Sequence, residues 1–196
     1  MNNEEFKRII KVVDRIALSE IKQYGTPSLV FYNLTNKAGQ KIAKKLNADQ
    51  NIVAIGTRLM DIKLGQAFKE DRLKDHIKMS SDKTIEILNN FKISEKLSKI
   101  IVNCVEAHHG TVKYYSLESE ICANADCYKF LTPLGFVDFL VSLGKRDMTL
   151  KEIVDWCDSK VEEKWNTLSL KVIKKELEQN YLNFKNILKS ANNDKI

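Results

Sequence analysis

Apolar residues recur at intervals of three and four along nearly the whole chain, and this spacing limits its fold more than any other feature of the sequence. The period is clearest near the C-terminus, where the apolar positions are Leu170, Ile173, Leu177, Tyr181, Phe184 and Leu188. A second such stripe covers residues 6–17. This spacing places the apolar side chains on one face of an amphipathic helix.

The number of turn residues supports a helical chain. Seven glycines and two prolines in 196 residues are too few for the many turns of a β-sandwich or barrel. No linker or repeat divides the chain, so we expect one all-α domain over 1–196, a bundle of about eight or nine helices. The predicted helices cover 6–24, 29–46, 50–68, 76–90, 94–109, 117–131, 136–143, 149–164 and 170–188, and the polar tail 190–196 is expected to fray. Ser94 and Thr149 are the predicted N-caps of the helices over 94–109 and 149–164.

Several classes of protein do not fit the sequence. No window approaches the roughly 18 consecutive apolar residues of a membrane-spanning helix. The first residues are polar and lack the apolar region of a secretion signal, so a cytoplasmic location is expected. The four cysteines have no zinc-site spacing and are expected to be buried thiols: Cys104, Cys122, Cys127 and Cys157.

The net charge of +6 permits an anionic partner without requiring one. The lysines are scattered along helical patterns, which is typical of a solvated surface. A small phosphorylated ligand is the partner that such charge would attract into a pocket. Nucleic acid is favoured only by the net charge and is not expected. The sequence predicts no particular oligomeric state.

The histidines are few, and their positions are informative. His108 and His109 are adjacent at the end of the fifth predicted helix, and His108 continues the apolar stripe that contains Ile101 and Val105. An imidazole in that setting is either a hydrogen-bonded core residue or a metal ligand. His76 opens the fourth predicted helix, where it is either exposed or a further ligand.

Two aspartates lie in apolar surroundings. Asp126 follows the segment ICANA (121–125), and Asp61 follows IGTRLM (55–60). A buried carboxylate needs a metal or a hydrogen-bond donor, although a helix cap or a bond to an asparagine or arginine also satisfies it. Imidazoles mixed with carboxylates suit divalent iron, manganese, zinc or nickel, and donors from separate helices can meet inside a bundle.

The order of these residues resembles the HD-domain superfamily of metal-dependent phosphohydrolases. The segment LMDI (59–62) is similar to the stretch that holds the family's His-Asp pair, and His76 to the next histidine. EAHHG (106–110) is similar to the histidine-pair segment, and Asp126 to the closing aspartate. The resemblance covers about residues 29–130, and helices within 133–190 are expected to pack on that core.

The chain departs from the family pattern at two positions. Met60 stands where the histidine of the His-Asp pair is expected, and Asn33 stands near the position of the first histidine as a possible substitute ligand. A thioether is a soft ligand that suits hard divalent ions poorly, so we expect Met60 to pack in the core or line the pocket. His108, Asp126 and Asp61 are expected to share one pocket.

The resemblance implies a metal-dependent phosphohydrolase that acts on a nucleotide or another phosphoester. Its metal would be iron, manganese, zinc, nickel or magnesium. The implied ligands are Asp61, His76, His108, His109 and Asp126, and the implied catalytic residues are Asp61 and Lys63. Lys63 either neutralises a phosphate or faces solvent. The alternative is a degenerate HD domain that binds a ligand or partner without catalysis and holds no metal.

Overall fold

The computed structural model describes residues 2–193 and is all-α over that range, which confirms the predicted fold class. A 3₁₀ turn at Leu73–Asp75 precedes α5. The helices are α1 (Asn3–Tyr24), α2 (Leu29–Lys45), α3 (Gln50–Leu59), α4 (Leu64–Lys69), α5 (His76–Leu88), α6 (Glu95–Glu106), α7 (Leu117–Leu131), α8 (Pro133–Gly144), α9 (Leu150–Thr167) and α10 (Lys171–Asn193).

Short polar side chains set the starts of several helices. The Ser94 hydroxyl accepts a hydrogen bond from the backbone N–H of Leu97 at 3.3 Å, and Thr149 accepts one from Glu152 at 3.3 Å. Both caps were predicted from the sequence, and each satisfies a backbone donor that has no partner within the helix. Gly110 has a φ of +71°, a left-handed conformation that favours glycine, and it closes the turn after α6.

Three predicted boundaries are wrong. The helix expected over 50–68 breaks between α3 and α4, where the N–H of Leu64 bonds to the carbonyl of Asp61 at 3.0 Å. The apolar pattern continues through this break, so periodicity alone does not show it. The helix expected to reach His109 ends at Glu106, which places both histidines in a turn. Residues 190–193 of the tail continue α10, and 194–196 lie outside the described residues.

Helix α7 is the centre of the bundle. Every residue over 121–131 is buried, and the helix packs against α2, α3, α6, α8, α9 and α10. One apolar core extends from Phe6 in α1 to Leu188 in α10 and includes residues of the C-terminal helices. Asp126 therefore lies inside the protein because its whole helix does.

Gly56 allows three helices to pack close together. A Cβ added to Gly56 in α3 would lie 2.6 Å from the Cβ of Cys104 in α6 and 2.8 Å from the Sγ of Cys122 in α7. Only a residue without a side chain permits this approach. Helices α3, α6 and α7 therefore approach one another closely at Gly56.

Among the described residues, no single helix has the length and apolar character needed to cross a membrane. Helices α7 and α8 pass that test only as a pair, bent by 67° at the break between them.

Candidate functional site

Asp61 lies in the turn between α3 and α4, and its carboxylate is almost fully buried. The break in the helix directs it toward the centre of the bundle. Met60, immediately before it, is 1% exposed and belongs to the apolar core, as the sequence predicted. It also lines a small cavity beside Asp61.

The three histidines form one cluster. Their ring centroids are 4.4 Å apart for His108 and His109, 5.3 Å for His76 and His109, and 5.9 Å for His76 and His108. One ring nitrogen from each lies within 4.8 Å of the other two. The turn after α6 supplies two of these rings, and the first residue of α5 supplies the third.

Backbone carbonyls orient two of the rings. Nδ1 of His76 lies 2.7 Å from the carbonyl oxygen of Leu73, and Nδ1 of His108 lies 2.6 Å from that of Val105. A carbonyl only accepts, so each Nδ1 donates, and Nε2 of the neutral ring keeps its lone pair. The buried Nε2 of His108 has no hydrogen-bond partner among the described residues.

Two lysines meet the buried carboxylates. The Lys129 ammonium donates to Asp61 Oδ2 and lies 2.5 Å from Asp126 Oδ1. The Lys164 ammonium lies 2.9 Å from Asp126 Oδ2 and 3.2 Å from Glu163 Oε1. The side chains of Lys129 and Lys164 are only 7% and 1% exposed, so these ion pairs belong to the interior.

Neighbouring charges determine the ionisation of this group. Burial alone would raise the pKa of Asp61 and Asp126, but the adjacent lysine ammonium groups outweigh burial and hold both pKa values below their usual range. Burial also opposes the charged form of Lys129 and Lys164, yet the carboxylates raise the pKa of both. At neutral pH the group therefore contains two anions and two cations.

The imidazoles of His76 and His109 are neutral near pH 7. Burial lowers the pKa of His76, and burial with the nearby His108 ring and Lys164 ammonium lowers that of His109 to about 3. A neutral imidazole is the form that binds a metal ion.

The possible metal ligands of the cluster form two groups, the three imidazoles and the two carboxylates with His108. The three imidazoles fit a divalent ion, since one ring nitrogen of each lies within 4.8 Å of the other two and the buried Nε2 of His108 has no hydrogen-bond partner among the described residues. Oxygens of Asp61 and Asp126 also converge with a ring nitrogen of His108 within 4.8 Å. Lys129 already contacts both carboxylates, however, so this second group does not fit a metal as it stands. As the chain stands, a metal fits the three imidazoles and not the two carboxylates.

A cleft of about 220 Å³ opens above this cluster. The carboxylates and lysines of the cluster line it together with His76 and His109. Its walls come mainly from the loop before α2 and from α4, α8 and α9, and they include Phe31, Phe68, Phe130, Phe139, Trp156, Arg146 and Lys160. The cleft is therefore both cationic and aromatic.

Arg146, just after α8, lies between two aromatic rings of the cleft. Its guanidinium carbon is 4.7 Å from the centre of the Phe68 ring and 5.3 Å from that of Trp156. Within residues 2–193 no carboxylate pairs with this guanidinium, and burial lowers its pKa. An arginine remains charged even so, which leaves its N–H groups free to bind an anion.

Most of the predicted site residues are brought together. Asp61, His76, His108, His109 and Asp126 all lie in the cluster, and the predicted meeting of His108, Asp126 and Asp61 is confirmed. Two residues lie elsewhere. Asn33 is exposed on α2 and lines neither cavity, because the helix turns Phe31 toward the cleft instead. Lys63 pairs with Glu20 at 2.7 Å, and both side chains are 17% exposed.

Three residues of the site were not predicted from the sequence: Lys129, Lys164 and Arg146. Two of them carry a visible signal. Lys164 continues the buried stripe of α9 at Val154, Cys157 and Val161, and a lysine in a stripe of that period needs a buried anion. Lys129 lies in the apolar run after Asp126, one helical turn further along α7. Arg146 follows α8 without any pattern that marks it.

Comparisons with known proteins give one informative match. No protein-family model and no curated protein matches the chain. Among solved structures, the chain is similar to the crystal structure of a predicted HD superfamily hydrolase from an uncultured Thermotogales bacterium. The TM-score is 0.65 at 14% sequence identity, and the match covers 92% of this chain and 89% of that chain. At this identity the likeness concerns the fold, and the chain has an HD-domain-like fold.

Proposed function

We propose that this chain binds a small phosphorylated ligand, nucleotide-like in character, in the cleft above the buried carboxylates. The observation that supports this most directly is Arg146, a guanidinium without a carboxylate partner among the described residues, held between Phe68 and Trp156. Such a group can donate two parallel hydrogen bonds to a phosphate. Lys160 on the same wall adds positive charge.

The aromatic lining suits the other end of such a ligand. Phe130 meets the rings of Phe31 and Phe139 edge to face at centroid distances of 5.2 and 5.0 Å, and all three rings line the cleft. An aromatic base packs well against surfaces of this kind. The size of the cleft approaches that of ordinary small-molecule sites, which are about 300–1,000 Å³.

Calorimetric titration tests the proposal. Adenosine, AMP, ADP and inorganic phosphate are titrated into the metal-free protein and into an Arg146→Gln variant. We expect the phosphorylated probes to bind and adenosine to bind more weakly. A charged hydrogen bond contributes about 1.5–3 kcal/mol, so Arg146→Gln should weaken ADP binding roughly tenfold or more.

Arg15→Gln is the matched control, because Arg15 is exposed on α1 and does not line the cleft. It should bind ADP like the wild type. If no phosphorylated probe binds, or if both variants bind equally, the proposed ligand class is wrong.

A second candidate function is hydrolysis of the phosphoester, which the three-imidazole cluster favours. His76, His108 and His109 would hold a divalent metal, which supplies a water of lowered pKa and polarises a phosphate oxygen. The chain's own part is to orient these rings through the carbonyls of Leu73 and Val105 and to hold the phosphate at Arg146. Release of phosphate from ADP or p-nitrophenyl phosphate with added Mn²⁺ or Zn²⁺, and its loss in His76→Gln, would support this function.

A further inference from the structure

Lys129 occupies the place where the two buried carboxylates converge. Its ammonium contacts Asp61 Oδ2 and lies 2.5 Å from Asp126 Oδ1, so one nitrogen joins oxygens from two different parts of the chain. Its side chain is 7% exposed and is held by the central helix α7. The nitrogen is therefore fixed in position by the fold.

A divalent metal cannot share this position. A metal bound by carboxylate oxygens lies roughly 2.0–2.2 Å from each of them. The Lys129 nitrogen is already in contact with the same two oxygens, so the metal would overlap it and would meet its positive charge. One of the two cations must be absent.

The charges of the cluster are already balanced. The carboxylates of Asp61 and Asp126 carry two negative charges, and the ammonium groups of Lys129 and Lys164 carry two positive charges. A buried charge is tolerated only when it is paired, and here each carboxylate has a cation from the chain itself. A divalent ion would bring two further positive charges with no anion to match them.

We infer that the Lys129 ammonium acts as the built-in cation of this centre in place of a metal between Asp61 and Asp126. This half of the cluster then takes up no divalent metal while Lys129 is present. The cleft keeps its form without metal, and ligand binding there, which rests on the proposed function, is insensitive to EDTA. The inference concerns the carboxylates alone and leaves the three imidazoles as separate donors.

Metal titration without ligand tests the inference separately from the proposed function. Mn²⁺, which accepts carboxylate and imidazole ligands, is titrated calorimetrically into EDTA-treated wild type, Asp61→Asn, Lys129→Met and the double variant Lys129→Met/Asp61→Asn. Asp61→Asn should leave the Mn²⁺ affinity of the wild type unchanged. Lys129→Met should bind Mn²⁺ at least about tenfold more tightly than the wild type, and the double variant should lose that gain.

Thermal unfolding provides a second measurement. Lys129→Met leaves two carboxylates without their shared cation, so its melting temperature should fall, and Mn²⁺ should restore it. The rise in melting temperature with Mn²⁺ should be smaller in the wild type, where only the three imidazoles are available to the metal. Lys151→Met is the matched control, since Lys151 also lies on a helix and pairs with Asp155 at 2.6 Å, but it is exposed and does not line the cleft. It should gain no Mn²⁺ affinity.

Two results would overturn the inference. One is stoichiometric Mn²⁺ binding by the wild type that Asp61→Asn abolishes, since a metal would then displace Lys129. The other is a folded Lys129→Met variant with wild-type Mn²⁺ affinity. If Lys129→Met does not fold, the comparison of wild type with Asp61→Asn still decides the question. Failure of ADP to bind would refute the proposed function and leave these metal measurements unaffected.

Discussion

The Nε2 atom of His108 lies 3.5 Å from Oδ1 of Asp61, and both groups are buried. Because Nδ1 of the ring donates to the carbonyl of Val105, a neutral His108 turns a lone pair toward a carboxylate oxygen. Two acceptors facing each other give no attraction unless a cation lies beside them. Lys129, on the other oxygen of Asp61, is the cation that the chain provides.

Asp126 should be essential to stability because it faces two buried ammonium groups. Asp126→Asn keeps the size of the side chain and removes its charge, which leaves Lys164 with only the partly exposed Glu163. Breaking a buried ion pair in this way costs about 3–5 kcal/mol. Urea unfolding measures this loss.

Asp82→Asn provides the control for that loss. Asp82 pairs with Lys78 at 2.6 Å, but both side chains are exposed, and such pairs contribute at most about 1 kcal/mol. Equal losses in the two variants would show that Asp126 is not held by buried cations.

Helical spacing and capping residues were enough to predict most of the fold. The stripes, the Ser94 and Thr149 caps and the scarcity of glycine and proline all point to an all-α chain, and the structure agrees. The break between α3 and α4 was missed because Ile62 and Leu64 continue an apolar pattern through it. Local patterns describe one helix at a time and do not contain the tertiary contacts that end it.

The candidate site was predicted in part, for a physical reason. Histidines and aspartates in apolar segments are conspicuous because their burial is costly, and five of them meet as expected. Lysine is common on helix surfaces, so Lys129 and Lys164 were not picked out of the 32 lysines and arginines, although each lies in an apolar helical stretch. Their roles depend on the carboxylates opposite them, which only the tertiary structure shows.

Acid should destabilise the metal-free protein, in part through His109. The pKa of this ring is about 3 in the folded chain, against roughly 6.5 when unfolded. The unfolded chain therefore binds a proton that the folded chain does not, and stability falls as the pH drops from about 6.5 toward 3. One such group changes the free energy of unfolding by at most about 1.4 kcal/mol per pH unit, and by less here because the ring is partly exposed.

His109→Gln removes that contribution, so the variant should gain stability relative to the wild type as the pH falls. Unfolding free energies between pH 7.5 and 4.5, measured in EDTA, test this. Asn33→Gln, a change at an exposed residue on α2, should keep the wild-type pH dependence. A constant difference between wild type and His109→Gln over this range would contradict the expectation.

Gly56 should tolerate no side chain, because α3, α6 and α7 meet around it. Gly56→Ala would place a methyl group 2.6 Å from the Cβ of Cys104, and overpacking of this kind costs about 1–3 kcal/mol. Gly144→Ala is the matched control, since nothing lies within 4 Å of a Cβ there. Thermal unfolding should show a clear loss for the first variant and none for the second.

Met60 lies where the HD-domain pattern has the histidine of its His-Asp pair. It is 1% exposed and lines the small cavity that Asp61 and Lys129 also line. The sequence alone predicts that Met60→His raises metal affinity by adding a nitrogen donor. With Lys129 between the carboxylates, we expect Met60→His by itself to leave Mn²⁺ affinity unchanged. Met60→His/Lys129→Met should bind Mn²⁺ about tenfold more tightly than Lys129→Met alone. Calorimetric titration of the three variants measures this, and a gain from Met60→His in the presence of Lys129 would show that the lysine does not control the site.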